Sequence, residues 1–186
     1  MEPPERPVLK RLPAPSARRL SEQGGLREVM ARFATGITVL TAGGEQGHGM
    51  TANAFSSVSL DPPMVLCCVS RAARMHSAIV AAGSFGVSIL GAEQNELARY
   101  FADWRRPGGL AQFDEVDWSA GPQTGAPLLD GALAWLECRL AHSYEGGDHS
   151  IFVGEVVTAD RGQVQDALVF YGGGYHQVGP RARATA

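Results

Sequence analysis

The residues able to do chemistry gather in a few places, and the densest is the stretch GMTANAFSSVSLDPPM, residues 49–64. Thr51, Asn53, Ser56, Ser57 and Ser59 set hydroxyls and one amide between Met50, Ala52, Ala54, Phe55, Val58 and Leu60. Ala52, Ala54 and Ser57 are small enough to let a planar ligand approach the backbone. On its own the stretch is either a ligand wall or an ordinary polar strand with a serine-rich turn. A second group, Ser70, Arg71, Arg74 and Ser77, sits at or near the start of a short helical segment. Free N–H groups and the helix dipole favour an anion there, so the group is either a phosphate site or exposed arginines with an N-cap serine. The third candidate is His149, directly after Asp148, a carboxylate placed to orient or charge the imidazole, which titrates near neutrality. It either reaches a cleft from a hairpin end or is a hydrogen-bonded surface residue.

Familiar catalytic machinery is missing. There is no G-x-S-x-G elbow, P-loop or H-E-x-x-H. Histidines 48, 76, 142, 149 and 176 share no metal-ligand spacing, and no metal is expected. The run GGEQGHG is glycine-rich but lacks the G-x-G-x-x-G dinucleotide fingerprint and its βαβ surroundings. What remains is a pocket of hydroxyls, one amide and backbone groups, suited to a large polar heteroaromatic with a phosphate tail.

The elements that must position these groups follow from periodicity. Residues 1–25 carry five of the 11 prolines and five Arg or Lys, and read as a disordered arm. Leu26, Val29, Met30, Phe33 and Ala34 make the stripe of an amphipathic helix with Gly36 as terminator. Residues 37–41 form a β-branched strand, and residues 43–49 loop back into the central stretch. Asp61-Pro62-Pro63 stops that stretch, and residues 64–70, MVLCCVS, make a buried strand. A short helix capped by Gly83, a strand over 85–90 and a helix over 93–102 come next. Residues 103–127 show neither period and read as a functional loop, in which Trp104, Phe113 and Trp118 tack to the core or flank a ligand. A long hairpin spans 133–159 and turns at 145–148, with Glu137 on the face opposite Ala134, Leu136, Cys138 and Leu140. A last strand over 168–171 precedes three glycines that present Tyr175, and residues 179–186 form a disordered tail.

Composition narrows the class. The chain is 186 residues long, 45% hydrophobic and 19% charged, which suits a single globular domain over residues 26–178. Its 23 glycines point to many turns and a mainly β fold with a few helices. A net charge of -3 gives no nucleic acid or anionic membrane as partner, and no apolar run spans a bilayer. Cys67, Cys68 and Cys138 lack C-x-x-C spacing and fit free thiols in a reducing cytoplasm.

Together, G-M-T-A-N-A-F-S-S-V-S-L-D-P-P-M, the upstream RFATGITVLT, the helix in the seventies, the GDH tripeptide and the closing FYGGGYHQV resemble the flavin reductase-like family. The resemblance covers roughly residues 26–178. It implies an FMN-binding split β-barrel, usually a homodimer with flavin near the subunit interface. It also implies hydride transfer from NADH or NADPH to FMN or FAD, with reduced flavin diffusing to a separate flavin-dependent monooxygenase. Position by position, Thr51, Ala52, Asn53, Ala54, Phe55, Ser57, Val58 and Ser59 line the flavin, with Thr38 nearby on the preceding strand. Val69, Ser70 and Ser77 bound its ribityl and phosphate end, joined by Arg74. His149, the one catalytic candidate, and Tyr175 face the nicotinamide. Arg71 departs from the lysine or short polar residue common in such proteins, which bears on FMN against FAD. Two competitors hold the same barrel: a flavin carrier or sensor without turnover, and an oxidase with tightly held flavin.

Overall fold

The computed structural model describes residues 23–44 and 47–179, so the expected arm and tail lie almost wholly outside the described residues. Helix α1 (Gln23–Met30) opens the chain and β1 (Thr35–Gly36) follows. Strands β2 (Thr38–Ala42) and β3 (His48–Ala52) form the first hairpin, with Thr38 opposite Ala52. Strands β4 (Phe55–Leu60) and β5 (Pro63–Ser70) form the second, turned at Asp61-Pro62. Helix α2 (Arg74–Ala82) ends at Gly83, whose left-handed φ of 63° lets its N–H reach the Ile79 carbonyl. Then come β6 (Ser84–Ile89), α3 (Asn95–Ala102), β7 (Trp118–Ala120) and β8 (Pro127–Leu129). The long strands β9 (Ala134–Gly146) and β10 (His149–Arg161), and the short β11 (Ala167–Tyr171) and β12 (Gly174–Val178), complete the chain.

Seven of these strands make one antiparallel sheet in the order β3-β2-β6-β9-β10-β5-β4. Its two edges, β3 and β4, are neighbours in sequence, joined only by Asn53 and Ala54. Three Cα–Cα steps reach at most about 11 Å, so the sheet must curl until its edges meet. The result is a barrel with a seam at residues 53–54. Among the described strands no ladder joins β3 to β4; the bond from the Cys68 N–H to the Ala54 carbonyl, 2.9 Å, extends the β4–β5 ladder up to the seam without crossing it.

Two cores hold the barrel. Leu40, Cys67, Val69, Phe85, Val87, Cys138 and Phe152 fill one, with Met75, Ala78 and Ile79 of α2 packed among them. Burial pushes the thiols of Cys67 and Cys138 up to about 12, so both stay protonated and behave as small apolar side chains. The other core joins Ile37, Val39 and Leu90 to Ala98 and Phe101 of α3 and to Phe113, Leu129 and Leu168.

Two expectations need correction. The helix predicted from the stripe at Leu26 starts at Gln23 and stops at Met30, because the next turn tightens to bonds from Arg32 to Val29 and from Phe33 to Met30. Among the described residues its apolar face is left largely open: Leu26, Val29, Met30 and Phe33 are 55%, 62%, 53% and 65% exposed. Residues 103–127 are more ordered than a loop, holding a 3-10 turn at Gly109–Phe113 and strand β7 paired with β8. Glu137, on the face of β9 opposite Cys138, is also fully buried.

Candidate functional site

Of the flavin-lining candidates, the seam gathers Asn53, Ala54 and Phe55. Asn53 donates from Nδ2 to Thr35 Oγ1 at 3.2 Å, which ties β1 to the seam. Beside them a groove of about 380 Å3 is walled by Phe33, Thr35, Asn53 and Ala54 and floored by Leu66 and Cys68. The floor follows from strand alternation. On β5, Val65, Cys67 and Val69 point into the core, which turns Leu66, Cys68 and Ser70 to the half-covered face. Ala54 has no side chain beyond Cβ and is exposed, so the groove stays open. A floor of apolar atoms with an amide and a hydroxyl on the wall is the donor set a planar heteroaromatic needs.

At the far end of β5 a second group assembles. Ser70 lies opposite His149 across the β5–β10 ladder, and the Arg71 N–H donates to the Asp148 carbonyl at 3.0 Å. The β9–β10 turn is the two residues Gly147 and Asp148, with Gly147 at φ 68°, a conformation that favours glycine. That tight turn sets His149 Nδ1 2.7 Å from Asp148 Oδ1. The imidazole hydrogen bond, then its charge, holds the Asp148 carboxyl below its usual range. Arg71 turns back onto this hairpin: Nη2 donates to the Gly147 carbonyl at 2.5 Å, and Nη1 lies 3.8 Å from Glu145. The helix start itself has Ala73, not a serine, as N-cap, while Ser70 Oγ accepts weakly from the Ala72 N–H at 3.4 Å.

Other candidates stand apart. Thr38 and Val69 are 3% and 1% exposed, and the Thr38 hydroxyl is committed to the Ala52 carbonyl at 2.8 Å. Ala52 is likewise buried, whereas Phe55, half-buried against the first core, also borders the groove. Ser57, Val58 and Ser59 run along edge strand β4 away from the groove, with a register shift between Ser57 and Ser59. Ser77 is exposed on α2. Tyr175 reaches the seam side through the small sheet β1-β11-β12, where Thr35 pairs with Phe170 and Phe170 with Tyr175. Its ring meets Phe170 edge-on at 5.6 Å and lies 5.2 Å from the Arg99 guanidinium. Burial raises its phenol above the ordinary range, against the pull of Arg99.

Sequence reasoning missed Thr35 and Cys68 as groove residues, although both lie inside the quoted motifs. It also missed the cluster around His48. His48 Nδ1 lies 3.2 Å from Gln112 Nε2 and its Nε2 lies 3.1 Å from Arg106 Nη2. Arg106 also donates to the Gly49 and Asp103 carbonyls and to Gln112 Oε1. Gly49 is required there, since a Cβ would sit 2.6 Å from the buried Phe101 ring. Glu137 anchors the loop before β8: its Oε1 accepts from the Gln123 and Thr124 N–H groups at 3.0 and 2.8 Å and from the Thr124 hydroxyl at 2.8 Å.

A seven-stranded antiparallel barrel split at a ligand-sized groove is the architecture of the split-barrel flavin reductases. The chain belongs to the flavin reductase like domain family, whose pattern matches residues 30–179. It is 52% identical over 157 residues to an NADH-dependent FAD reductase of Streptomyces globisporus, covering 84% of this chain and 86% of that protein. It is 39% identical over 153 residues to the reductase component of a 4-hydroxyphenylacetate 3-monooxygenase from Thermus thermophilus, covering 82% and 94%. Among solved structures, the flavin reductase component of a bacterial two-component tryptophan halogenase superposes with a TM-score of 0.83 at 49% identity, covering 86% of this chain and all of that one. An NADH:FAD oxidoreductase of Streptomyces globisporus C-1027, in complex with NAD and FAD fragments, superposes with a TM-score of 0.80 at 47% identity, covering 89% and 99%.

Proposed function

We infer that this chain is an NADH-dependent flavin reductase that supplies reduced flavin to a partner monooxygenase component. The observation that carries the reading is the seam groove: the family's motif residues Asn53 and Ala54, with Thr35, wall a cleft over an apolar floor. When bound, flavin accepts the hydride of the nicotinamide, so the protein's work is to hold two planar rings and exclude water. Asn53 and Thr35 offer hydrogen bonds to a flavin edge, and the small side chain of Ala54 admits the ring. Ser70, Arg71, Arg74 and Ser77 lie on the path toward its phosphate, with Thr38, Ala52 and Val69 behind as backbone and core support. His149, oriented by Asp148, and Tyr175 take the nicotinamide side.

Two features support a homodimer. Leu60 is 89% exposed on edge strand β4, alongside the uncovered face of α1, and such apolar surface calls for a partner. Beyond Leu140, whose N–H still reaches the Gly83 carbonyl at 3.0 Å, β9 has no β6 neighbour among the described residues, which leaves residues 141–146 as an edge. The three free cysteines suit the cytoplasm, and no helix among the described residues is long and apolar enough to cross a membrane.

The test is a steady-state assay crossing NADH and NADPH with FMN, FAD and riboflavin. NADH oxidation that depends on added flavin is expected, and its absence with every flavin overturns the reading. Sedimentation velocity is expected to give a species twice the 19.7 kDa chain mass; a fully active monomer at micromolar concentration refutes the dimer.

A further inference from the structure

A second groove, of about 400 Å3, begins at Thr51 within the motif stretch and runs between the start of α2 and the segment after α3. Two arginines line it, Arg74 and Arg106, and among the described residues neither pairs with a carboxylate. The nearest acid on that segment is already taken: both Asp103 oxygens receive Arg105, from Nε and Nη2, at 3.1 Å each. Arg106 is instead held by neutral acceptors, the Asp103 and Gly49 carbonyls and Gln112 Oε1. Those bonds fix the direction of the guanidinium without cancelling its charge. Buried His48 lines the same groove and adds no counter-charge. On the rim, Trp104 is 83% exposed, a large indole face on which no described residue stacks. Uncancelled cations beside a bare aromatic face match the two halves of one ligand, a polyphosphate and a purine.

We propose that this groove receives the adenosine diphosphate moiety of a dinucleotide, with Arg74 and Arg106 on the diphosphate and Trp104 stacked on the adenine. The proposal rests on the flavin reductase reading and adds a specificity element to it. FAD carries this moiety and FMN does not; NADH carries it as well. Because the groove starts at Thr51, two residues from Asn53, it is contiguous in the chain with the seam that takes the ring system.

The experiment uses the full chain and ADP as the probe, since ADP binding requires no turnover. Calorimetric titration is expected to show ADP binding to the wild type, weakened about tenfold in Trp104→Ala, as expected for the loss of one stacking contact. Arg74→Gln and Arg106→Gln are expected to weaken it similarly. Arg74 is exposed and keeps the test valid should the more embedded Arg106 variant fail to fold. Steady-state arms identify the source. If FAD occupies the groove, ADP competes with FAD, and Trp104→Ala lowers kcat/KM for FAD about tenfold relative to FMN. If NADH occupies it, ADP competes with NADH when FMN is the acceptor, and the variant raises KM for NADH. No ADP binding at millimolar concentration, or equal binding by wild type, Trp104→Ala and Arg74→Gln, overturns the proposal. A preparation that oxidises no NADH with any flavin refutes the reductase reading alone, because the titration still decides the groove.

Discussion

Acidification should weaken the fold through His48, and the size of the effect can be worked from its surroundings. The side chain is 8% exposed. Both ring nitrogens face groups that only donate, the Gln112 amide nitrogen at 3.2 Å and the Arg106 guanidinium at 3.1 Å. A neutral imidazole keeps one lone pair for them, whereas an imidazolium has two N–H groups and none. Burial first, then the charges of Arg106 and Arg74, therefore push His48 down from 6.5 to about 4. The unfolded chain binds this proton more tightly than the folded one. The stabilising contribution is thus complete above pH 6.5 and is lost as pH falls from 6.5 toward 4. At about 1.36 kcal/mol per pH unit the ceiling is about 3 kcal/mol, and solvent screening at the groove rim reduces it to about 1–2 kcal/mol. Urea unfolding at pH 7.5 and pH 4.5, for wild type and His48→Gln, measures it. The wild type should lose about 1–2 kcal/mol more than the variant between the two pH values, with the shared carboxylates cancelling in the comparison. Equal losses in the two proteins would refute the reasoning.

Three further outcomes are expected. Ala54→Leu fills the seam groove from its wall, so flavin affinity measured by fluorescence quenching should fall while the melting curve stays close to wild type; unchanged affinity in a folded variant puts the flavin elsewhere. His149→Ala should raise KM for NADH about two- to tenfold, the worth of one neutral hydrogen bond, with flavin affinity nearly intact; wild-type kinetics across a range of NADH would remove His149 from the site. Glu137→Ala strips two backbone N–H groups and a hydroxyl of their shared acceptor, so stability should drop by about 2–4 kcal/mol in denaturant melts, and a loss under 0.5 kcal/mol would show that water replaces the carboxylate.

Most barrel strands were legible because each carries its own alternation or β-branched run, and α2 because Gly83 supplies the stop its geometry requires; the break at Asn53-Ala54 that splits residues 48–60 into β3 and β4 was not. The turn at Gly147-Asp148 was legible for the same local reason, and with it the contact between Asp148 and His149. What was illegible depends on partners distant in sequence. Alternation places Glu137 on the face opposite Leu136 and Cys138, but it does not show that the Gln123 and Thr124 amides fold over that face and make the position interior. Residues 103–127 show no period because their order comes from Phe113 entering the second core and from β7 pairing with β8. His48 and Arg106 lie 58 residues apart and belong to no motif. The α1 stripe shows the opposite failure: periodicity correctly marks an apolar face but says nothing about what covers it.

The seam at Asn53 and Ala54 has a mechanical consequence. Everywhere else around the barrel, adjacent strands are sewn together by ladders, so a local displacement must break several hydrogen bonds at once. At the seam the two edges are joined by the chain itself through Asn53 and Ala54; among the described residues the hydrogen bonds there run outward, from the Cys68 N–H of β5 to Ala54 and from Asn53 to Thr35 of β1, and none ties β3 to β4. Compliance is therefore concentrated where a ligand has to enter and leave. The barrel can breathe along that line while its six ladders keep their register, which suits a protein that must grip a flavin long enough to reduce it and then let it go.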